Sequence, residues 1–224
     1  MIVAVDGPAA AGKSTAAKGV ARALNIMHLD TGAMYRAVAL GLLKNKVNYS
    51  DLKAIESFLE NTELKFYKKK EKTLLFLNNM DVTREIRSNI ISKNASEVST
   101  IKIVREYMVK FQRKMAKNID CILEGRDIGT VVFPNADFKF FITANYKARA
   151  RRILADLVEA GDKNYGDFNS VLDELNNRDL KDSTRSHSPL VKAEDAIEID
   201  TTNLTINEVI DKIVNTVNQK RTLD

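Results

Sequence analysis

Gly7-Pro8-Ala9-Ala10-Ala11-Gly12-Lys13-Ser14 has the spacing G-x-x-x-x-G-K-[ST]. In that pattern a wide turn points successive backbone N–H groups at phosphate oxygens, the lysine reaches the β/γ-phosphates and the hydroxyl ligates magnesium. Three alanines at the variable positions let the backbone close on an anion, and a helix starting near Lys13 adds the positive end of its dipole. Gly7 through Ser14, with the adjoining Thr15, are therefore the expected triphosphate-binding residues. Lys13 is the expected catalytic cation and Ser14 the expected magnesium ligand. The competing reading is a chance match in a Gly/Ala-rich turn. Context weighs against it: Ile2, Val3, Ala4 and Val5 read as a buried strand, and Ala16, Ala17, Val20, Ala21 and Leu24 recur at helical spacing. Strand, loop and helix come in the order the motif needs. The motif does not choose the reaction.

The elements that must position this loop read as an α/β fold, with a five-stranded parallel sheet flanked by helices. Ile26 to Leu29, Ile119 to Leu123, Phe138 to Thr143 and Ala196 to Ile199 join the first strand, and their nearly continuous apolar character suits parallel strands covered on both faces. Between them, Met34, Ala37, Val38 and Leu42 mark one helix and Leu52, Ile55, Phe58 and Leu59 another. Short strands around 64–67, 73–77 and 80–83 interrupt the alternation as a small β insert. Ile101, Val104, Met108, Phe111 and Met115 line one helical face. Thr205-Ile206-Asn207-Glu208 has the capping-box spacing that opens a last helix.

A chain of 224 residues can bury a sizeable core as one unit with an inserted lobe. Its net charge of +5 suits an acidic substrate, but a surplus this small among 35 basic and 30 acidic residues carries little weight. The run Lys68-Lys69-Lys70-Glu71-Lys72 lies between two strand-like segments without interleaved aromatics, so it reads as a solvated hairpin tip and no nucleic-acid partner is expected. The lone Cys121 rules out an internal disulfide and reads as a buried thiol. No apolar stretch approaches the length of a membrane span, and the first strand starts at residue 2 without a basic leader. A cytoplasmic protein with no membrane partner is expected.

Ligands of open α/β sheets bind beyond the carboxyl ends of the strands. Asp30-Thr31-Gly32 and Glu124-Gly125-Arg126-Asp127 fall there, and residues 146–185 carry Arg149, Arg151, Arg152, Arg178 and Arg185. Phosphoryl transfer to a phosphate acceptor needs little acid–base help, because that acceptor is already an oxyanion near neutrality, with a second pKa of about 6. It needs charge neutralisation, which arginines and magnesium supply. The two histidines, His28 and His187, read as structural or surface groups.

Three segments behind the P-loop, Asp30-Thr31-Gly32-Ala33-Met34-Tyr35-Arg36, residues 124–134 (EGRDIGTVVFP) and residues 178–185 (RDLKDSTR), resemble the bacterial cytidylate kinases over nearly the whole chain. The resemblance implies a nucleoside monophosphate kinase, a monomer that transfers the γ-phosphoryl group of ATP to CMP or dCMP with Mg2+. It implies a core of 1–29, 114–145 and 186–224, a monophosphate-binding lobe of 30–113 with its β insert at about 62–84, and a lid of 146–185. Matched motif by motif, Thr31, Arg36, Arg126 and Arg185 would hold the CMP phosphate, and Arg178 and Asp182 the ribose. Ser96, Arg105 and Asp127 would face cytosine, and Arg149 and Arg152 would serve ATP. Arg126, Arg178 and Arg185 would also be catalytic, stabilising the moving phosphoryl group.

Cytosine offers an amino donor at N4 beside acceptors at N3 and O2, so a carboxylate with two donors complements it; uracil reverses the first two groups. Discrimination of that kind can reach several powers of ten. Each assignment has a plainer competitor: a solvated helix face for the lid arginines, favoured for Arg151; surface roles for Ser96 and Arg105; a helix cap for Asp127. Asp30 reads as an organiser of its loop or of metal-bound water. Glu124 and Lys181 stand where the family pattern has aspartate and arginine, which alters the geometry near the metal and loses a bidentate phosphate contact. Two alternatives stay open: another nucleotide kinase, such as one acting on UMP, and a regulatory or RNA-associated P-loop protein.

Overall fold

Apolar on both faces, Ile2-Val3-Ala4-Val5 becomes a strand flanked on each side by others. The computed structural model describes residues 1–69, 72–159, 161 and 166–221. Its elements run β1 (Ile2–Asp6), α1 (Lys13–Ala23), β2 (Met27–Asp30), α2 (Thr31–Lys44), α3 (Leu52–Glu60), β3 (Leu64–Lys69), β4 (Lys72–Leu77), β5 (Met80–Asp81), α4 (Asn89–Val98), α5 (Lys102–Met115), β6 (Cys121–Gly125), β7 (Phe138–Thr143), α6 (Tyr146–Glu159), α7 (Phe168–Thr184), β8 (Ile197–Asp200) and α8 (Ile206–Arg221). The chain divides into a first unit, Met1–Leu29 with Ala116–Asp224, and a second, Asp30–Met115.

The first unit carries the expected five-stranded parallel sheet, in the order β2-β6-β1-β7-β8. β1 pairs in parallel with β6 and β7, and β7 with β8. Val3, Val5, Ile122, Phe140 and Ile142 pack with Ala16, Ala17 and Val20 of α1 and Val209, Ile213 and Val217 of α8 in one core. Small residues on α1 let the helices approach closely: Gly19 leaves no room for a Cβ beside Ile210. The capping box at the start of α8 forms, with Thr205 N–H donating to Glu208 Oε2 at 2.7 Å and Glu208 N–H to Thr205 Oγ1 at 3.3 Å. A smaller cluster, Ala150, Val171 and Leu175, joins α6 and α7 and takes in Ala9 of the P-loop.

β6 begins at Cys121, two residues later than its apolar run. Ile119 is exposed, and the Asp120 carboxylate instead takes the N-terminal ammonium at 2.6 Å. Cys121 is buried, and burial pushes its thiol up to about 11, so it is an inert structural group. β8 likewise starts at Ile197 rather than Ala196.

In the second unit β3 and β4 form an antiparallel hairpin extended by β5. β5 stops after Asp81, whose carboxylate accepts from Thr83 N–H at 2.9 Å; the Thr83 hydroxyl then accepts from Leu75 N–H, so a side chain continues the ladder. Lys70 and Glu71 of the basic run lie outside the described residues. α2 is buried nearly all round, through Met34, Ala37, Val38 and Leu42. Asp30 caps it, accepting from Ala33 N–H at 2.7 Å. No helix among the described residues is long and apolar enough to cross a membrane.

The chain leaves β1 through Gly7, at φ +146°, where a Cβ would overlap the Ile142 carbonyl oxygen. The clash is with backbone, which cannot rotate away. Gly7→Ala is expected to lower the unfolding free energy by about 3 kcal/mol or more, as measured by urea denaturation.

Candidate active site

The P-loop turn in the first unit is held from outside. Four successive carbonyl oxygens are taken by side chains: Pro8 O by Lys13 Nζ at 2.6 Å, Ala9 O by Arg149 Nη1 at 3.1 Å, Ala10 O by Arg152 Nη1 at 3.4 Å, and Ala11 O by the Thr201 hydroxyl at 3.0 Å. With the carbonyls engaged there, the N–H edge of the turn remains for an anion. Gly12, at φ +94°, precedes α1 without a side-chain cap, so the first N–H groups of that helix belong to the same edge.

Lys13 is buried. Burial, with the nearby charges of Arg126 and Arg178, pushes its ammonium well below the usual lysine range, while Glu124 and Asp6 oppose the shift. The Ser14 hydroxyl donates to Glu124 Oε2 at 2.5 Å, and His28 Nε2 lies 3.0 Å from Glu124 Oε1. Burial acts to raise the Glu124 carboxyl, but His28, Ser14 and Lys13 outweigh it and hold the group below its ordinary value. A hydroxyl backed by a carboxylate suits Mg2+, which takes one or two protein oxygens beside phosphate and water. Among the described residues no cluster of three or more His, Cys, Asp or Glu could form an all-protein cage.

A cavity of about 520 Å³ opens on this turn, lined by residues 9–15, by Arg152, Ile153, Asp156 and Arg178, and by Thr201, Leu204, Ile206 and Val209. Arg152 therefore belongs to its wall, and its Nη2 donates to Thr201 O at 2.7 Å. Arg149 does not line it. Its buried guanidinium serves Ala9 O, Ala144 O and Asp179 Oδ2, the last at 2.6 Å. Arg151 is exposed, as is Lys181.

Beyond β6 the same unit gathers a second set. Arg126 Nε donates to Asp182 Oδ2 at 2.7 Å, and Arg185 lies 3.5 Å from Asp182 Oδ1 and 3.7 Å from Asp127 Oδ1. Burial acts to raise the Asp182 carboxyl, but the guanidiniums of Arg126, Arg178 and Arg185 together hold it low. Arg178 and Asp182, four residues apart, share one side of α7, and Arg185 follows as its C-cap. Asp127 is buried and makes no side-chain cap to the π-helical turn Ile128–Val132, which excludes the helix-cap reading.

The second unit carries the other expected residues. Thr31 is buried in the first turn of α2, and Arg36 Nη2 donates to Asp30 Oδ2 at 3.3 Å, so Asp30 organises its own loop. Arg105 is buried on α5; its Nη1 donates to Ser99 O at 3.1 Å and its guanidinium stands 5.6 Å over the Tyr35 ring. Ser96 is half-buried on α4.

Sequence reasoning passed over Asp6, Thr201 and the His28 contact. Asp6 ends an apolar strand and Thr201 follows one, so neither falls in a recognisable pattern; their partners come from distant parts of the chain. His28 alternates with apolar neighbours in β2, and only strand pairing brings it to Glu124.

An anion-binding turn between strand and helix, a cavity beside it and an arginine cluster beyond the next strand define a P-loop phosphotransferase. A solved structure of an uncharacterised protein from Eubacterium ventriosum has the same fold, with a TM-score of 0.50 and 13% identity over 97% of this chain and 98% of that one. The cytidylate kinase family model matches residues 3–219. The chain is 50% identical over 213 residues to a cytidylate kinase of Fusobacterium nucleatum, covering 95% of each, and 44% identical over 220 residues to one of Halalkalibacterium halodurans, covering 98% of each. It belongs to the cytidylate kinase family and is a kinase.

Asp6 gives the site a pH signature. Burial pushes its carboxyl up from 3.8 to about 6; the N–H groups of Ile128 and Gly129 act against the rise, Asp127 adds to it and Lys13 opposes it. Between those two values the folded chain holds a proton that the unfolded chain has released. The stability Asp6 contributes is therefore full below 3.8 and lost as pH rises through about 6. Relative to Asp6→Asn, the wild-type chain should gain on the order of 3 kcal/mol of unfolding free energy between about pH 7.5 and pH 4. Urea unfolding of both proteins across that range measures it; a difference independent of pH would contradict the titration.

Proposed function

We propose that the chain transfers the γ-phosphoryl group of ATP to CMP or dCMP, giving ADP and CDP or dCDP. The observation that carries this reading is the cluster of Arg126, Asp127, Asp182 and Arg185 in the same unit as the anion-binding turn. Residues 7–15 take the ATP phosphates, and Arg152 with the apolar wall of Leu204, Ile206 and Val209 takes the rest of that nucleotide. Arg149 serves the donor side through the Ala9 carbonyl. A polyphosphate supplies the negative charge that favours ionised Lys13, which then stabilises the moving phosphoryl group.

Ser14 holds Mg2+ in this reading, with Glu124 behind it. When bound, the ion neutralises charge on the β- and γ-phosphates. The acceptor needs no catalytic base, because its phosphate is already ionised near neutrality. Arg126 and Arg185, with Thr31 and Arg36 of the second unit, bind that phosphate; Arg178 and Asp182 bind the ribose. Asp127, Arg105 and Ser96 read cytosine by the donor and acceptor pattern on its edge. Arg126, Arg178 and Arg185 have the further role of spreading the charge that develops during transfer.

In the same proposal residues 1–29, 114–145 and 186–224 are the core, 30–113 the monophosphate lobe and 146–185 a lid that excludes water on closing. Glu124 in place of aspartate keeps the charge behind Ser14, and Lys181 in place of arginine loses a forked phosphate contact. The enzyme is proposed to act as a cytoplasmic monomer.

A coupled assay of ADP release with Mg-ATP and CMP, dCMP, UMP, AMP or GMP tests the reading. CMP and dCMP should be the preferred acceptors, with kcat/KM for UMP lower by about a hundredfold or more. Lys13→Ala should lower kcat at least about a hundredfold. Preference for UMP would overturn the base assignment, and no transfer to any monophosphate would overturn the reaction.

A further inference from the structure

Asp6 is the last residue of β1, paired in register with Gly125, the last residue of β6. Beyond Gly125 the chain leaves the sheet, so the ladder no longer sets the position of Arg126 and Asp127. At that point the Asp6 carboxylate reaches across: Oδ1 accepts from Ile128 N–H at 2.8 Å and Oδ2 from Gly129 N–H at 2.7 Å. The two peptide groups follow directly on Asp127, and the turn they open closes through Val131 N–H and Val132 N–H to the Asp127 carbonyl. A single carboxylate thus fixes the backbone on the C-terminal side of the Arg126–Asp127 pair, while the sheet fixes it on the other.

We infer that Asp6 is a positioning residue for the acceptor nucleotide, acting through the Ile128 and Gly129 peptides to set Arg126 and Asp127. Holding an ionised carboxylate at 5% exposure costs stability. Two parallel N–H donors explain its retention, because both of its oxygens accept, whereas the isosteric amide would turn an NH2 group toward one of the N–H donors. Gly129 belongs to the same device: a Cβ there would stand 3.1 Å from Lys139 Cδ and 3.4 Å from Asp6 Oδ2. The approach to Asp6 is an ordinary contact and the tighter one is to the Lys139 side chain, so what Gly129 supplies to the device is its peptide N–H.

The inference rests on the assignment of Arg126 and Asp127 to CMP. Its test compares Asp6→Asn, Arg126→Ala and Asp127→Asn in the full chain, with separate titrations of CMP and Mg-ATP and urea unfolding at pH 7.5. For Asp6→Asn the KM for CMP should rise on the order of tenfold or more, with the KM for ATP within about twofold of wild type and the unfolding midpoint no lower. If Asp6→Asn affects both nucleotides equally, lowers stability in parallel or changes nothing, Asp6 does not position the acceptor site. If Arg126→Ala and Asp127→Asn raise the KM for CMP while Asp6→Asn does not, the inference alone fails. If the first two leave CMP unaffected, the acceptor assignment fails and takes the inference with it.

Discussion

An anion-binding turn must satisfy its carbonyl groups on one side in order to offer N–H groups on the other, and much of the first unit serves that demand. Pro8, Ala9, Ala10 and Ala11 each have their oxygen taken by a different side chain, from α1, two successive turns of α6 and the end of β8. The clamps are themselves braced. Arg149 is buried against Asp179 of α7, and Arg152 is held by both the hydroxyl and the carbonyl of Thr201. Ala9 also packs into the apolar cluster of α6 and α7. The helices of residues 146–185 are thus tied to the loop by hydrogen bonds and by packing.

Concentrating cations near one anion site raises a second problem. Burial, and then the field of Arg126 and Arg178, makes the Lys13 ammonium hard to ionise. Carboxylates answer locally: Glu124 beside Ser14, Asp182 beside Arg126, Asp127 beside Arg185. Isolated buried charges would be prohibitive, whereas an alternating network keeps each group partnered. A substrate rich in negative charge fits such a network because it adds to the side that the cations outnumber.

Asp6 departs from that economy. It is buried with its charge directed at two peptide N–H groups rather than at a cation side chain, and it titrates at about 6 instead of being held low. The stability lost to burial is the counterpart of a fixed backbone at the end of β6. Glu124 contrasts with it: equally buried, but held below its ordinary value by His28, Ser14 and Lys13.

The sequence by itself determined the anion-binding turn, the strand-turn-helix order around it and the parallel sheet, because these depend on local spacing and on apolar runs that only buried strands and helices satisfy. Its arginine-rich stretch and the resemblance over residues 178–185 pointed to Arg178, Asp182 and Arg185, and the Thr205–Glu208 spacing to the capping box. Strand ends were less legible, since Ile119 is as apolar as Ile122 yet lies exposed before the strand begins, and Thr83 continues a ladder by its side chain. Tertiary structure alone decided that, of two arginines on one helix that both hold loop carbonyls, Arg152 also lines the cavity while Arg149 is buried against Asp179. It alone brought Asp6 to peptides 122 and 123 residues away and Thr201 to a carbonyl 190 residues away. Such contacts leave no periodicity in the chain: they are single hydrogen bonds set by the register of neighbouring strands, and register depends on the packing of the whole sheet.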